Sequence, residues 1–600
     1  MPKKTISASA SETTEFPGKS EQVQILAKKA PAEKKQTVKK TTARKDNTPK
    51  TIRASSTTSV TKKRTGSAKA VASEQPEEKS EKVPQRRGRK PKTMAPSASA
   101  ADTAAVQTTD TTQKETSSVT ELVQKKKLLF VGSEALPFAA SGGLGDVLGS
   151  LPGAIAAASD AFDVRVVMPL YSAISWEYRK DFQMVCEFTV PLAWRMQYCG
   201  VWKTTYQNVT YYFLDNEYYF KRSSLYGSYD DGERFAYFCM AVMEMLPKIG
   251  FFPDLMHLND WQSAACAVYL KHRYAYQAAY RNIRTIYTIH NIEYQGIYDL
   301  SILGDLFGLG NDAIPTVEYG GCINLTKAAI LCADRVSTVS ARYAGEIQNP
   351  YFAHGLAPIL QENAYKLSGI VNGIDVAYYD PMDASALAAP YNAFHQEGKA
   401  QCKAALQEEL HLPIRADVPI IAMVSRLASH KGFDLIRCVF SEMLNWEVQF
   451  VLLGTGEAAL QSFFAEAAAR RPDRFAAVFA FDKALSKRIY AGADLFLMPS
   501  KSEPCGLSQM IASRYGAVPI VREVGGLADT IHPYSPATRT GNGVTFVSYN
   551  AHDMKDAVGR AVGLWYGEHR IPLRTNAMQM DFSWRASANT YLSLYRSLLG

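Results

Sequence analysis

Six hundred residues with 46% hydrophobic content exceed what one hydrophobic core usually organises, so several domains are expected. The net charge of +9 is uneven: residues 1–127 hold 28 Lys and Arg against 13 Asp and Glu, leaving 39 against 45 in the rest. A basic folded body is thereby excluded. Nine scattered cysteines without a C-x-x-C pair exclude a disulfide or metal framework and suit a reducing cytosol.

The chain opens on a tail, residues 1–126, rich in Lys, Ala, Ser, Thr, Pro and Glu. Up to Gln124 its only aromatic ring is Phe16. Such a segment buries too little apolar surface to offset the entropy of ordering, so disorder is expected. No apolar stretch there is long enough for a signal peptide, and its acidic residues argue against a plastid transit peptide. No transmembrane run appears anywhere in the sequence, so no membrane contact is expected. "QRRGRKPK" (85–92) resembles an AT-hook, with Arg86, Arg87, Gly88 and Arg89 as weak minor-groove contacts to nucleic acid. A solvated basic linker is the plainer reading of the same residues.

From Lys127 short apolar runs alternate with amphipathic stretches. The expected strands of the first half are 127–134, 164–169, 210–214, 255–260, 284–290 and 335–340. Those of the second half are 419–426, 448–454, 476–482, 495–500 and 518–523, with helices over 458–471 and 508–516. Continuous apolar runs separated by helices imply parallel sheets covered on both faces. Two such series predict an α/β protein with two Rossmann-like, doubly wound domains joined near 370–381. Residues 383–394 read as a surface excursion beside the join.

Ligands of open parallel sheets sit at the carboxyl ends of the strands. Asp260, His290, Arg426, Gly454, Ser500 and Arg522 fall there. Gly142-Gly143, in "SGGLGDVLGS", lets backbone approach an anion at a helix start. Gly525-Gly526, in "GGLADTI", repeats the device. A tight turn needed only for packing is the competing reading of each. In "SRLASHKG", Arg426 and Lys431 are two cations on one loop, suited to phosphate oxygens. In "SKSEPCGLSQ", Pro504 and Gly506 constrain a loop that directs Glu503, whose carboxylate suits sugar hydroxyls or positive charge. Cys505 has no matched general base and is discounted as a nucleophile. "HLNDWQ" and "YTIHNIEYQG" bring Asp260 and His290 to two strand ends, with Tyr and Trp nearby whose flat faces suit sugar rings.

These stretches, with "INLTKAAILCADRVSTVS", "VNGID" and the closing "DFSWRASANTYLSLYRSLL", occur in an order that resembles the bacterial glycogen synthases and the related starch synthases. The resemblance runs from about Lys127 to Gly600. It implies a GT-B glycosyltransferase with two domains facing across a cleft, transferring glucose from ADP-glucose to the non-reducing end of an α-1,4-glucan. Retention of configuration, no metal, no cofactor and a cytoplasmic location go with it. The implied domains are 127–374 on the acceptor side, 375–580 on the nucleotide-sugar side, and a helix over 581–600 that crosses back to the first domain.

The resemblance also implies roles by position. Arg426 and Lys431 neutralise the departing diphosphate; Gly142, Gly143, Gly525, Gly526 and Leu527 present N–H groups to it. Glu503 contacts the donor glucose, on a loop shaped by Cys505, Gly506 and Leu507. His290 bonds the transferred sugar, Asp260 sits near the reacting centre, Asn372 lines the donor pocket, Asp146 helps position the donor, and Phe481 stacks on the base. The chain departs from the family pattern in five places. Ala140 replaces the usual Lys before the first glycine turn, and Asn259 replaces the second His of H-x-H-D-W. His430 stands for a Gln, Val524 for a Thr and Phe481 for a Tyr. Competing readings are another nucleotide-sugar transferase, a glucan phosphorylase carrying pyridoxal phosphate, and a glucan- or DNA-binding protein built on a decayed transferase.

Overall fold

A computed structural model describes residues 125–600. The tail reading, including the Arg86–Arg89 segment, lies outside them. Two sheets organise the described chain. The first has nine strands: β1 (Lys126–Val131), β2 (Phe162–Pro169), β3 (Gln183–Leu192), β4 (Arg195–Tyr206), β5 (Val209–Asp215), β6 (Leu255–Asn259), β7 (Arg284–Ile289), β11 (Arg335–Thr338) and β12 (Leu367–Gly369). Its order is β12-β11-β7-β6-β1-β2-β5-β4-β3. Strands β8 (Ile297–Asp299), β9 (Glu318–Tyr319) and β10 (Cys322–Asn324) form a small antiparallel sheet beside it. The second large sheet is wholly parallel: β13 (Ile420–Val424), β14 (Gln449–Leu453), β15 (Phe475–Val478), β16 (Leu495–Met498), β17 (Val518–Arg522) and β18 (Val544–Phe546), in the order β15-β14-β13-β16-β17-β18.

The central strands form because their side chains are apolar on both faces. Phe130 lies opposite Val166 on one side and His257 on the other, fully buried. The expected all-parallel first sheet is corrected at one edge, where β3 and β4 run antiparallel. Their residues alternate between exposed and covered, as in "RMQYCGVWKTTY". A search for continuous apolar runs passes over such strands, since only one face needs burial.

The expected strands also overrun the real ones at their carboxyl ends. Strand β6 stops at Asn259, β7 at Ile289 and β13 at Val424. Asp260, His290 and Arg426 thereby fall into the loops that follow. The 383–394 segment is not a mere surface excursion. Leu387, Ala389 and Tyr391 are buried, and the Tyr391 hydroxyl donates to the Tyr515 carbonyl at 2.9 Å, because an aromatic with a polar tip needs both a core and a partner.

The chain passes between the two sheets twice. The two passages run side by side: the Ile374 N–H donates to the Phe582 carbonyl at 2.8 Å, and Gly373 lies so close to Trp584 that a Cβ would fall 2.5 Å from its nitrogen. The last helix, Trp584–Leu599, then packs on helix Gly143–Ala158 of the first half. Its Tyr595 hydroxyl meets His257 Nδ1 at 2.8 Å. No helix among the described residues is long and apolar enough to cross a membrane.

Candidate functional site at the facing strand ends

The first half supplies carboxyl groups. Asp260 heads helix Trp261–His272 with a φ of +54°, an uncommon backbone for a residue with a Cβ. Its Oδ1 accepts the His290 N–H at 2.7 Å. Burial pushes its carboxyl up to about 7, while the N–H groups of His290 and Asn291 oppose that. His290 is held down to about 3 by burial and is neutral. Its Nε2 lies 3.0 Å from Asn259 Oδ1.

Glu134 follows β1 and satisfies the same positional criterion as Asp260, yet no sequence motif assigned it a task. It accepts from the Ser141 N–H at 2.5 Å, the Ser141 hydroxyl at 2.9 Å and the Gly145 N–H at 3.2 Å. The start of helix Gly143–Ala158 is thus partly occupied by the protein's own carboxylate. Burial raises that carboxyl. The N–H groups of Gly142 and Gly143 make no hydrogen bond among the described residues, and both glycines are exposed. Asp146, pushed up to about 6 by burial, feels Lys483 and Asp375 from the second half of the chain.

The second half supplies the cations. Lys431 Nζ donates to both oxygens of Glu503 at 2.8 Å, and the Ser500 hydroxyl donates to Glu503 Oε2 at 2.9 Å. Glu503 therefore holds the lysine and has no bare oxygen aimed at solvent; it is 5% exposed. Arg426 is exposed and forms no ion pair among the described residues. Burial, and then the field of Lys431 and Arg426, lowers the His430 imidazole.

The second glycine turn differs from its expected role. Gly525 N–H donates to both carboxylate oxygens of Glu346 at 3.1 Å, across the gap from the first half. Gly526 N–H donates to the Glu503 and Pro504 carbonyls, and Leu527 N–H to the Val524 carbonyl. All three N–H groups expected to face phosphates are engaged within the protein. Sequence reasoning missed Glu346, whose only signal is its place in a short helix, Ala341–Glu346, just after a strand end.

The remaining site residues are placed as follows. Cys505 is buried, its thiol pushed up to about 12, and it takes the Asn372 N–H; an inert thiol agrees with discounting it as a nucleophile. Asn372 keeps a buried Oδ1 without a partner. The Gly506 carbonyl accepts from Gln509, and Leu507 precedes helix Ser508–Arg514. Phe481 is 86% exposed on the loop after β15. His257 is the satisfied core histidine of the set, with Nε2 at 2.6 Å from the Thr288 hydroxyl. All nine cysteines are free. Among the described residues no group of three His, Cys, Asp or Glu is placed to hold a metal.

The family described as starch synthase catalytic domain matches residues 127–362, and that described as glycosyl transferases group 1 matches 408–579. The chain is 46% identical over 477 residues to the glycogen synthase of Geobacillus thermodenitrificans, covering 79% of this chain and 98% of the relative. Identity to the Ligilactobacillus salivarius glycogen synthase is also 46%, covering 79% of this chain and 100% of the relative. The catalytic domain of starch synthase IV from Arabidopsis thaliana, bound to ADP and acarbose, superposes with a TM-score of 0.74 at 32% identity. That match covers 79% of this chain and 100% of the other.

Proposed function

The chain belongs to the glycogen synthase family, and on that premise we propose that it transfers glucose from ADP-glucose to an α-1,4-glucan with retention of configuration, needing no metal or cofactor, in the cytoplasm. The observation that carries this reading is a fixed cation, Lys431 clamped by both oxygens of Glu503, on the same loop as Arg426, which has no counter-charge among the described residues. The main electrostatic demand in nucleotide-sugar transfer is the charge that builds on the departing diphosphate, and pre-placed cations meet it without reorganising. ADP in the related starch synthase structure supports adenosine over uridine as the nucleoside.

In this reading Arg426 and Lys431 bind the diphosphate, Gly142 and Gly143 offer it open N–H groups, and Phe481 gives the base a face. Gly525, Gly526 and Leu527 reach the donor only after their present partners let go. Asn372, with Cys505, Gly506 and Leu507, lines the sugar pocket, His290 and Asp260 face the reacting sugar, and Asp146 steadies the donor. Glu503 acts through Lys431 as well as on the sugar.

A double displacement needs a free carboxylate at the anomeric carbon. Asp260 is tied to backbone N–H groups and Glu503 to Lys431. Both arrangements favour a same-face reaction. The bond from the anomeric carbon to the phosphate oxygen breaks, the acceptor oxygen bonds on the same side, and its proton passes to the leaving phosphate. A trapped glucosyl-enzyme would contradict it. The assignment is tested by glucan elongation with ADP-glucose and with UDP-glucose, comparing wild type with Lys431→Ala and Glu503→Ala. Losses of about a hundredfold or more in kcat are expected; elongation equal to wild type by both variants would overturn the site.

A further inference from the structure

The hydrogen bonds of Asn259, at the end of β6, define what the next strand end can do. Its Nδ2 donates to the Val131 carbonyl at 3.2 Å and to the His257 carbonyl at 3.1 Å. Both carbonyls can only accept, so the amide has one orientation and Oδ1 must face His290 Nε2 at 3.0 Å. An amide oxygen can only accept, so the proton of the neutral imidazole sits on Nε2. Nδ1 then carries a lone pair and has no partner among the described residues.

We infer that Asn259 is a positioning residue that locks His290 in the Nε2–H tautomer, so that Nδ1 is presented as a hydrogen-bond acceptor for a hydroxyl of the bound sugar. The second half of this statement rests on the proposed contact between His290 and the sugar; the first half does not. A histidine at position 259 would not impose the same choice, because an imidazole nitrogen either donates or accepts. Burial keeps His290 neutral down to about pH 3, so the tautomer persists across the working range. The titratable neighbours do not undo this. His257 on β6 is itself held near 3, with both ring nitrogens engaged. Asp260 meets His290 through the backbone N–H. Glu134 acts on Asp260, and Tyr343 bonds the Ile292 N–H.

The test is ¹⁵N NMR of the full chain with labelled histidine, the His290 signals being assigned by their loss in His290→Gln. Wild type is expected to show a pyrrole-type Nε2 and a pyridine-type Nδ1 that do not titrate between pH 5 and pH 8. An Nδ1–H form, or an average of the two, overturns the inference. Asn259→Asp supplies the second reading. A carboxylate beside Nε2–H favours the imidazolium, whose Nδ1–H donates instead of accepting. A new acid limb in kcat/KM, falling about tenfold per pH unit below the new pKa, is expected for that variant. A profile identical to wild type, with the carboxylate in place, counts against the tautomer's role. A wild-type spectrum as expected together with a fully active His290→Gln would overturn the sugar contact and leave the tautomer assigned.

Discussion

The two glycine turns share the pattern G-G-L-x-D, Gly142 to Asp146 and Gly525 to Asp529, yet they are built for different tasks. At the first, a Cβ on Gly143 would meet nothing within 4 Å, and the glycine N–H groups make no hydrogen bond among the described residues. Packing does not require glycine there, which fits the proposed approach of the donor. At the second, Gly525 has a φ of +46°, and a Cβ would fall 2.0 Å from the Glu503 carbonyl oxygen. A Cβ on Gly526 would lie 2.2 Å from the Cys505 carbonyl oxygen. The second pair is glycine so that the loop carrying Glu503 can lie against it. The aspartates follow suit: Asp146 faces Lys483 and Asp375 through space, whereas Asp529 accepts the Arg342 N–H at 2.9 Å. Each aspartate reaches toward the opposite half of the chain.

The largest effect should come from the closed turn. Gly526→Ala is expected to lower stability by roughly 2–4 kcal/mol in urea unfolding, because the neighbours it strikes are backbone. An unchanged midpoint would erase the distinction between the turns. Gly143→Ala sharpens it from the other side. Stability should stay within about 0.5 kcal/mol of wild type while the donor KM rises roughly tenfold, about 1.4 kcal/mol. A variant with unchanged donor KM would leave the open turn without a ligand.

Asp146→Asn isolates the carboxyl beside the open turn. Folding raises this group from 3.8 to about 6, so its protonated form favours the native state. That contribution is complete below pH 4 and is lost as the pH climbs through 6. The variant should therefore match wild type at pH 4 and exceed it by about 1–2 kcal/mol at pH 8, partial exposure moderating the full shift. Equal stability at both pH values would show that the carboxyl is not desolvated. The smallest effect is expected from Glu346→Gln. Weakening the acceptor that occupies Gly525 N–H should lower the donor KM by about two- to fivefold, since a charged acceptor holds an amide more tightly than a neutral one. No change would mean that the donor never uses that amide.

Much of the fold was legible because buried parallel strands announce themselves as apolar runs, and "KLLFV", "IIAMV" and "QFVLL" all proved to be strands. The edge pair β3–β4 was not, since its alternation is also what an exposed amphipathic segment shows. At the site, the strand-end rule reached Asp260, His290 and Arg426. It did not distinguish a free carboxylate from one already holding a lysine, nor reveal that Glu134 and Glu346 reach into the two turns.

The sequence alone determined two doubly wound sheets, the loops that carry charge, and the positions where backbone lacks a Cβ, because hydrophobic period and glycine placement are local properties. Only the tertiary structure decided which amides are open, which cations are paired and which nitrogen of His290 holds a proton. Those depend on which groups meet, as Glu346 meets Gly525 from 179 residues away, and no local pattern encodes the partner of a hydrogen bond.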